Sequence, residues 1–426
     1  TFSSLVFILL VALASSPSRR QLPHTHGRGW ILLSMPMIVA WCLYLLAFWP
    51  GIMALDSTNQ WMQLITGHYS DLHPLAHTLT LWLVTRLWFS PASVALFQVG
   101  ALSLLIASGL RMLEKFSLPR SASWLVSSLF ALSPVMGSLS ITLLKDVLFS
   151  TAFLTLVLII LYVTLDRYCW LGQGVNWVLP GLAAAAVALY RHNGFPVALG
   201  TLVLLSAFSW RTTRKGLLSL LLMAGLWLGV RQIALWATKA ESGLVMADTP
   251  ILHHLGAHVS AGTPLTPEEH TYLDSVLPLD APWPYRCLSV NSLQNHPDFN
   301  LKFFRSKPRT NWRIFLDLLQ RDPGVDINHW LCSSNLVWKI RKVDSYMYSD
   351  SLVLKEDDIQ WIEPGPYSPR QASRLPGLIP LFTWLIKAPQ NNINIEALIW
   401  RPATYLYLHL FCTAVLALRL RSTRLL

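Results

Sequence analysis

The sequence predicts a mainly α-helical, polytopic transmembrane bundle joined to one sizeable water-exposed domain of mixed or irregular structure. Three observations predict it. The 426 residues are 53% hydrophobic and only 13% charged, about half the ~25% charge of a soluble globular chain. The apolar residues gather into runs near the ~20 needed to cross a bilayer as a helix. The charges are unevenly shared: residues 239–374 hold 14 Lys+Arg and 16 Asp+Glu, net −2, whereas the rest hold 19 Lys+Arg and 6 Asp+Glu, net +13. The overall +11 raises nucleic acid as a partner, but the cations stand in short clusters between apolar runs, as in cytoplasmic loops. The bilayer is therefore the expected partner, and nucleic acid is not.

The first apolar run, 5–14, reads as the stump of a truncated helix or the end of an extra one. Spanning helices are expected over 30–50, 94–112, 122–139, 147–165, 177–190, 195–210, 217–236 and 397–418, and two shorter apolar stretches lie at 75–89 and 375–386. Basic loops set the orientation. Arg19, Arg20 and Arg28 precede the first helix; Arg111, Lys115 and Arg120 separate the second from the third; Arg167 follows the fourth; Arg211, Arg214 and Lys215 separate the sixth from the seventh. These clusters share one side only if 75–89 does not cross. Its 15 residues suit a helix lying in or dipping into the outer interface.

With the basic loops cytoplasmic, connections 51–74, 140–146 and 190–194 face outward together, as does the polar domain. Arg419, Arg421 and Arg424 belong on the cytoplasmic side, which leaves 375–386 along the outer surface. The expected division is an N-terminal stump and cytoplasmic loop (1–29), a bundle (30–236) with its outer loop at 51–92, an extracytoplasmic domain (237–375), and a C-terminal interfacial and spanning segment (376–426). The expected location is the inner, or plasma, membrane. No internal repeat is evident.

Outside the polar domain the acidic residues are Asp56, Asp71, Glu114, Asp146, Asp166 and Glu396, and three of these six (Asp56, Asp71 and Asp146) fall at the outer mouth. A carboxylate beside hydrocarbon costs several kcal/mol unless paired or solvated, so each is a functional candidate. Asp56 either caps an amphipathic segment carrying Trp61, Leu64 and Ile65 on one face or acts chemically, and a cap would hold it in place for that. Asp71 reads as a solvated loop carboxylate or a substrate contact. His73, ahead of Pro74, opens the interfacial helix and either meets headgroups or orients a substrate. Lys145-Asp146 reads as a snorkelling Lys with an N-cap, or as a cation for a lipid phosphate. Arg191-His192-Asn193-Gly194 makes a tight turn, in which Arg191 has the geometry to grip a phosphate. No charged residue is read deep within a helix.

Other chemistry is sparse. The sequence has no nucleotide-binding Gly loop, no HExxH and no GxSxG. Five cysteines form no CxxC; Cys287 and Cys332 pair if their domain faces an oxidising compartment, and otherwise stay thiols. His253, His254 and His258 have helical spacing but no carboxylate on the same turn, so no metal site is expected there.

In order and shared sidedness, the motifs Trp49-Pro50-Gly51, Asp56-Ser57-Thr58-Asn59-Gln60, Asp71-Leu72-His73-Pro74, Leu144-Lys145-Asp146 and Arg191-His192-Asn193-Gly194 resemble the GT-C class of membrane glycosyltransferases. These are relatives of the protein mannosyltransferases and lipid A aminoarabinose transferases, and the resemblance covers residues 30–236. It implies transfer of a sugar from a polyprenyl-phosphate carrier to a hydroxyl of a glycan, lipid or protein acceptor at the outer face, with inversion. Asp56 matches the family's catalytic Asp and would act as base. Ser57 stands where many relatives carry an acidic residue. Lys145 and Arg191 would meet the leaving phosphate, His73 or Asp71 would orient sugar or acceptor, and Asp146 and Asn193 would line the same substrate site. No cofactor is implied, although a divalent cation is left open. The competing readings are a transporter or flippase for a lipid-linked or anionic solute, a polysaccharide polymerase or ligase, and an assembly subunit.

Overall fold

The computed structural model describes residues 29–116, 118–240, 249–341, 372–387, 392–399 and 401–419. It is 75% helical, with no strand among the described residues. The expectations placed on run 5–14, Arg19, Arg20, Arg28, Arg421 and Arg424 lie outside those residues. The chain divides into two compact units, Thr1–Ser242 with Tyr348–Trp400 and Tyr407–Leu426, and Gly243–Met347 with Arg401–Leu406.

The first unit runs α1 (Gly29–Ala47), α2 (Leu55–Thr66), α3 (Leu75–Thr85), α4 (Pro91–Lys115), α5 (Arg120–Leu132), α6 (Pro134–Ser140), α7 (Lys145–Leu165), α8 (Val178–Tyr190), α9 (Gly194–Ser209) and α10 (Lys215–Thr238). Four of these, α1, α4, α7 and α10, are long and apolar enough to cross a membrane, and α5 with α6 makes a fifth if the bent pair is one span. The 66° bend between them falls where Pro134 cannot donate to the ladder and Ser133 restarts the helix by accepting the Met136 N–H at 3.3 Å.

Helices α8 and α9 are shorter than expected of spans, at 13 and 16 residues. At 1.5 Å per residue, 13 residues reach only ~20 Å. The composition explains how α8 manages this. Pro180, Gly181, Ala183, Ala184, Ala185 and Ala188 are buried, so α8 packs a small-residue face against α7, α9 and α10, while Leu179 and Leu182 stay exposed. Likewise Gly137 on α6 admits the Tyr44 ring, where a Cβ would lie 2.6 Å from a ring carbon.

The ends of these helices are tied together by the backbone of two linkers. Ile52 N–H donates to Ile141 O at 3.0 Å, and Leu143 N–H donates to Ile52 O at 2.9 Å. Gln98 of α4, fully buried, adds Nε2 donations to Thr142 O at 2.8 Å and Ser140 O at 3.2 Å. The α1–α2 linker is thereby fixed beside the α6–α7 linker. At the opposite end of the bundle, Lys215 Nζ donates to Gly174 O at 2.7 Å.

Stretch 375–386 becomes a 3-10 turn, Pro376–Leu378, and α18 (Ile379–Lys387). It packs on the end of α1: Arg374 N–H donates to Leu46 O at 2.8 Å, and the Phe382 ring stacks on Tyr44 at 3.9 Å. The last expected span, 397–418, is divided between α19 (Ile393–Ile399) and α20 (Pro402–Arg419), the second opened by a proline at its first position.

The described part of the second unit is helical, not mixed or irregular. It contains α11 (Thr249–Ala261), α12 (Pro267–Val276), α13 (Asn291–Gln294), α14 (Leu301–Ser306), α15 (Pro308–Arg321), α16 (Pro323–Ser333) and α17 (Asn335–Trp338). Pro267, Pro308 and Pro323 each occupy a first-turn position, where the missing N–H is not needed. Thr266 and Glu269 close a capping box over the start of α12. Leu252, Leu255, Leu273, Phe304 and Leu318 form the core. Cys287 and Cys332 are disulfide-bonded, with Cα atoms 5.9 Å apart, which decides between the two states left open by the sequence.

Candidate functional site

Asp56 lies in the first turn of α2 and is not its N-cap. The cap position is Ala54, whose backbone N–H donates to Ser57 Oγ at 3.3 Å. The Asp56 carboxylate is therefore free for a longer-range partner, the Lys145 ammonium at the start of α7. The pair meets because Ile52 and Thr142, a few residues upstream of each, are bridged. Lys145 Nζ also stands 3.3 Å from His73 Nδ1, and His73 Nε2 lies 3.7 Å from Asp56 Oδ1. Three residues separated by up to 89 positions thus form one cluster.

Exposure divides the roles within it. The Asp56 side chain is 41% exposed and the Lys145 side chain 13%, so the carboxylate is accessible while the ammonium lies behind it. Burial pushes the Asp56 carboxyl up. The hydrogen bond and charge of Lys145, with His73 and Arg191, outweigh that and hold it below its ordinary value, so it is ionised at neutral pH. Burial pushes the His73 imidazole down and Lys145 adds to this, against the pull of Asp56, so His73 is neutral. Its Nδ1 then accepts from the ammonium, which leaves the Nε2 proton facing Asp56.

Arg191, just past the end of α8, pairs with Asp146 at 2.6 Å, with its guanidinium 5.6 Å from the Phe149 ring centre. Asp146 is in the first turn of α7, behind Leu144 at the cap position, so it is no N-cap; it favours the helix dipole from there. Asn193 precedes α9 as an exposed residue and makes no side-chain cap bond. Its side chain has no tie to the other candidates among the described residues, and that of Asp71 has none either, pairing instead with Arg231.

Asp71 is buried, contrary to the solvated loop carboxylate expected. Oδ2 accepts from Arg231 at 2.7 Å, Oδ1 accepts the Leu75 N–H at 3.2 Å, and its backbone carbonyl accepts from His192 Nε2 at 3.0 Å. Arg231 lies inside α10, seven residues before Thr238, which corrects the reading that no helix carries an internal charge. The mean hydropathy of the run hid it. The available signal was a lone Arg between Val230 and Gln232.

A second missed group is buried between α2 and α3. Gln60 Nε2 donates to Thr78 Oγ1 at 2.9 Å, and Gln60 Oε1 stands 2.9 Å from His77 Nδ1. With Nδ1 donating, His77 Nε2 remains a buried acceptor without a partner. Its signal was a polar ring in an otherwise apolar stretch, four residues after His73.

In the second unit, His254 and His258 both meet Asp326, at 2.6 Å and 2.8 Å. The carboxylate absent from their own turn comes from α16. Among the described residues, no group of three or more His, Cys, Asp or Glu is arranged to hold a metal ion.

The first unit thus offers an exposed, ionised carboxylate beside a shielded ammonium, two Arg–Asp pairs and a neutral imidazole, carried by α2, the α2–α3 linker, the start of α7, the end of α8 and α10. Such a set can take a proton from a hydroxyl and offset the charge of an anion. No protein-family model, no curated protein and no solved structure matches the chain.

Proposed function

We propose that the first unit is a GT-C-like membrane glycosyltransferase. It moves a sugar from a polyprenyl-phosphate carrier to an acceptor hydroxyl at the outer face of the membrane, with inversion. The observation that carries this reading is the Asp56–Lys145 pair, in which an exposed, ionised carboxylate is backed by a shielded ammonium. Asp56 removes the proton of the acceptor hydroxyl as that oxygen attacks the anomeric carbon. The bond from that carbon to the phosphate oxygen breaks, and the lipid phosphate leaves with the electron pair. Phosphate is stable as an anion, so no acid partner is needed, while Lys145 and Arg191 offset its charge.

The lowered carboxyl pKa makes Asp56 a weak base at rest. A donor phosphate that competes for Lys145 loosens the pair and raises the proton affinity of Asp56 only when a substrate is bound. Two features support the outward placement of this end and of the second unit: the basic clusters at the other helix ends, and the Cys287–Cys332 disulfide, which suits an oxidising compartment.

The test is transfer from a panel of polyprenyl-phosphate sugars by purified protein in nanodiscs, wild type against Asp56→Asn. Loss of a general base lowers turnover by about 10²–10⁴-fold. Near-normal turnover in the variant removes Asp56 from that role, and no transfer from any donor by the wild type overturns the transferase reading.

A further inference from the structure

Polarity is reversed on one helix of the second unit. On α16 the residues turned inward are polar, Asp326 at 0% and His329 at 5% exposure, whereas Ile327, Trp330 and Leu331 are 52%, 51% and 50% exposed. A helix lying against water carries the opposite arrangement. The inner side has a reason. Asp326 meets His254 and His258 of α11, and His329 stands 2.6 Å from the Tyr285 hydroxyl. That network does not call for apolar residues on the outer side, where polar ones would serve as well.

The same character continues onto the helices packed against α16. Helix α15 buries Ile314, Phe315 and Leu318, yet exposes Trp312 and Leu316, and α17 exposes Val337. Ring contacts run from Trp312 through Phe315 and His254 to Trp330, with centroid spacings of 5.8, 5.1 and 5.8 Å, so the two exposed indoles are near neighbours. Trp330 turns its N–H inward to His254 Nε2 at 3.0 Å, and Trp338 gives its own to Leu331 O at 2.9 Å. An indole at a wet surface has water for that proton; here the exposed Trp330 ring presents carbon. Single apolar residues on a surface are ordinary, but a set carried by successive helices marks a face that is covered.

Charge says what covers it. Residues 301–341, which supply α14–α17, hold 8 Lys+Arg and 3 Asp+Glu, net +5, whereas residues 249–300 hold 1 and 5, net −4. The apolar face thus belongs to the basic half, and Lys307, Arg309 and Arg341 are exposed there. A second copy seated on the same face would set one basic half against another. An anionic lipid surface would instead attract it. Such a surface is within the chain's reach. Helix α10, long and apolar enough to cross a membrane, ends at Thr238, shortly before α11 opens at Thr249. The unit also takes in Arg401–Leu406, where α20 begins.

We propose that the outer side of α15–α17 docks on an anionic phospholipid surface. Its indole and aliphatic side chains enter the headgroup boundary, while Lys307, Arg309 and Arg341 meet lipid phosphates. The proposal stands apart from the transferase reading and involves no sugar.

The test uses the full chain in nanodiscs of phosphatidylcholine with or without phosphatidylglycerol. Cys42, Cys169 and Cys412 are replaced by Ser, and the Cys287–Cys332 disulfide is kept. A nitroxide is placed singly by Leu316→Cys, by Val337→Cys, or by Ser275→Cys at an exposed position of the acidic half. In anionic discs the first two labels are expected to collide several-fold more with oxygen, relative to a water-soluble nickel complex, than the third. Each basic residue near an anionic surface is worth about fivefold, or about 1 kcal/mol. Omitting phosphatidylglycerol, or combining Lys307→Glu with Arg309→Glu, is therefore expected to return that ratio towards the Ser275 level.

A ratio at Leu316 and Val337 equal to that at Ser275 in anionic discs overturns the proposal. Shielding of both labels from oxygen and nickel alike also overturns it and marks a covering protein, with dipolar broadening if that protein is a second copy. A raised ratio indifferent to phosphatidylglycerol and to charge reversal overturns the assignment to an anionic surface. Where a labelled variant fails to fold, hydroxyl-radical footprinting of the unsubstituted protein decides. Trp312 and Trp330 are then expected to oxidise several-fold more slowly in anionic than in neutral discs, and equal oxidation in both refutes the docking.

Discussion

Replacing Lys145 by Met removes support of the carboxylate and support of the leaving phosphate together. The substitution removes the ammonium that donates to Asp56 and stands 3.3 Å from His73 Nδ1. A charge-assisted hydrogen bond is worth about 1.5–3 kcal/mol. Asp56 is 41% exposed, and solvent screening brings the expected loss of stability to about 1 kcal/mol. The effect on transfer is expected to be larger. Loss of a fixed donor to developing charge costs roughly 10²–10³-fold in turnover, or about 2.7–4 kcal/mol.

The pH profile carries the sign of the effect. In the wild type, Lys145 holds the Asp56 carboxyl below its ordinary value. Its contribution to stability is therefore full above the unfolded-state pKa of about 3.9 and is lost as pH falls through the lower folded value. Activity that needs the ionised form persists into that acid range. In Lys145→Met, burial acts with less opposition, and the acid limb of transfer moves to higher pH. Transfer rates measured across pH in nanodiscs, with thermal unfolding in parallel, decide the case. An acid limb that stays put or moves to lower pH refutes the reasoning, as does a loss of turnover no larger than the loss of stability.

Three further outcomes are expected. Gln98→Leu strips two carbonyls, Ser140 O and Thr142 O, of their buried donor and should cost about 1–3 kcal/mol in thermal unfolding, with transfer falling as Lys145 loses its footing. Joint replacement of Cys287 and Cys332 by Ala should destabilise the second unit by about 2–4 kcal/mol, and alkylation of the native protein should label neither position until a reductant is added. Burial, with His253 and His254 nearby, pushes the His329 imidazole down to about 4. The unfolded state takes up that proton first, so the second unit should lose stability as pH falls from about 6.5 towards 4, and His329→Gln should flatten that part of the unfolding profile.

Helicity and the scarce outer-mouth charges were legible because both are local: apolar runs of near-spanning length, and few acids where hydrocarbon makes acids costly. Asp56, His73 and Lys145 drew notice for that reason, and the structure brings them into one cluster. Three kinds of feature were not legible. Arg231 and His77 sit inside apolar segments and matter only through partners elsewhere in the chain. The caps were misplaced, since Asp56 and Asp146 lie two positions past the caps Ala54 and Leu144, a shift that propensity does not resolve. The Asp326 partner of His254 and His258 was hidden by some 70 residues of intervening chain.

The bridge between Ile52 and Thr142 has a mechanical consequence. Bilayers differ in thickness by several ångströms, and spanning helices adapt by tilting. A centre assembled from independent helix ends would shear with each change of host membrane. Here the two segments that bear the carboxylate and the ammonium are joined through their peptide groups, so they travel as one rigid piece and the bundle can lean without altering their spacing.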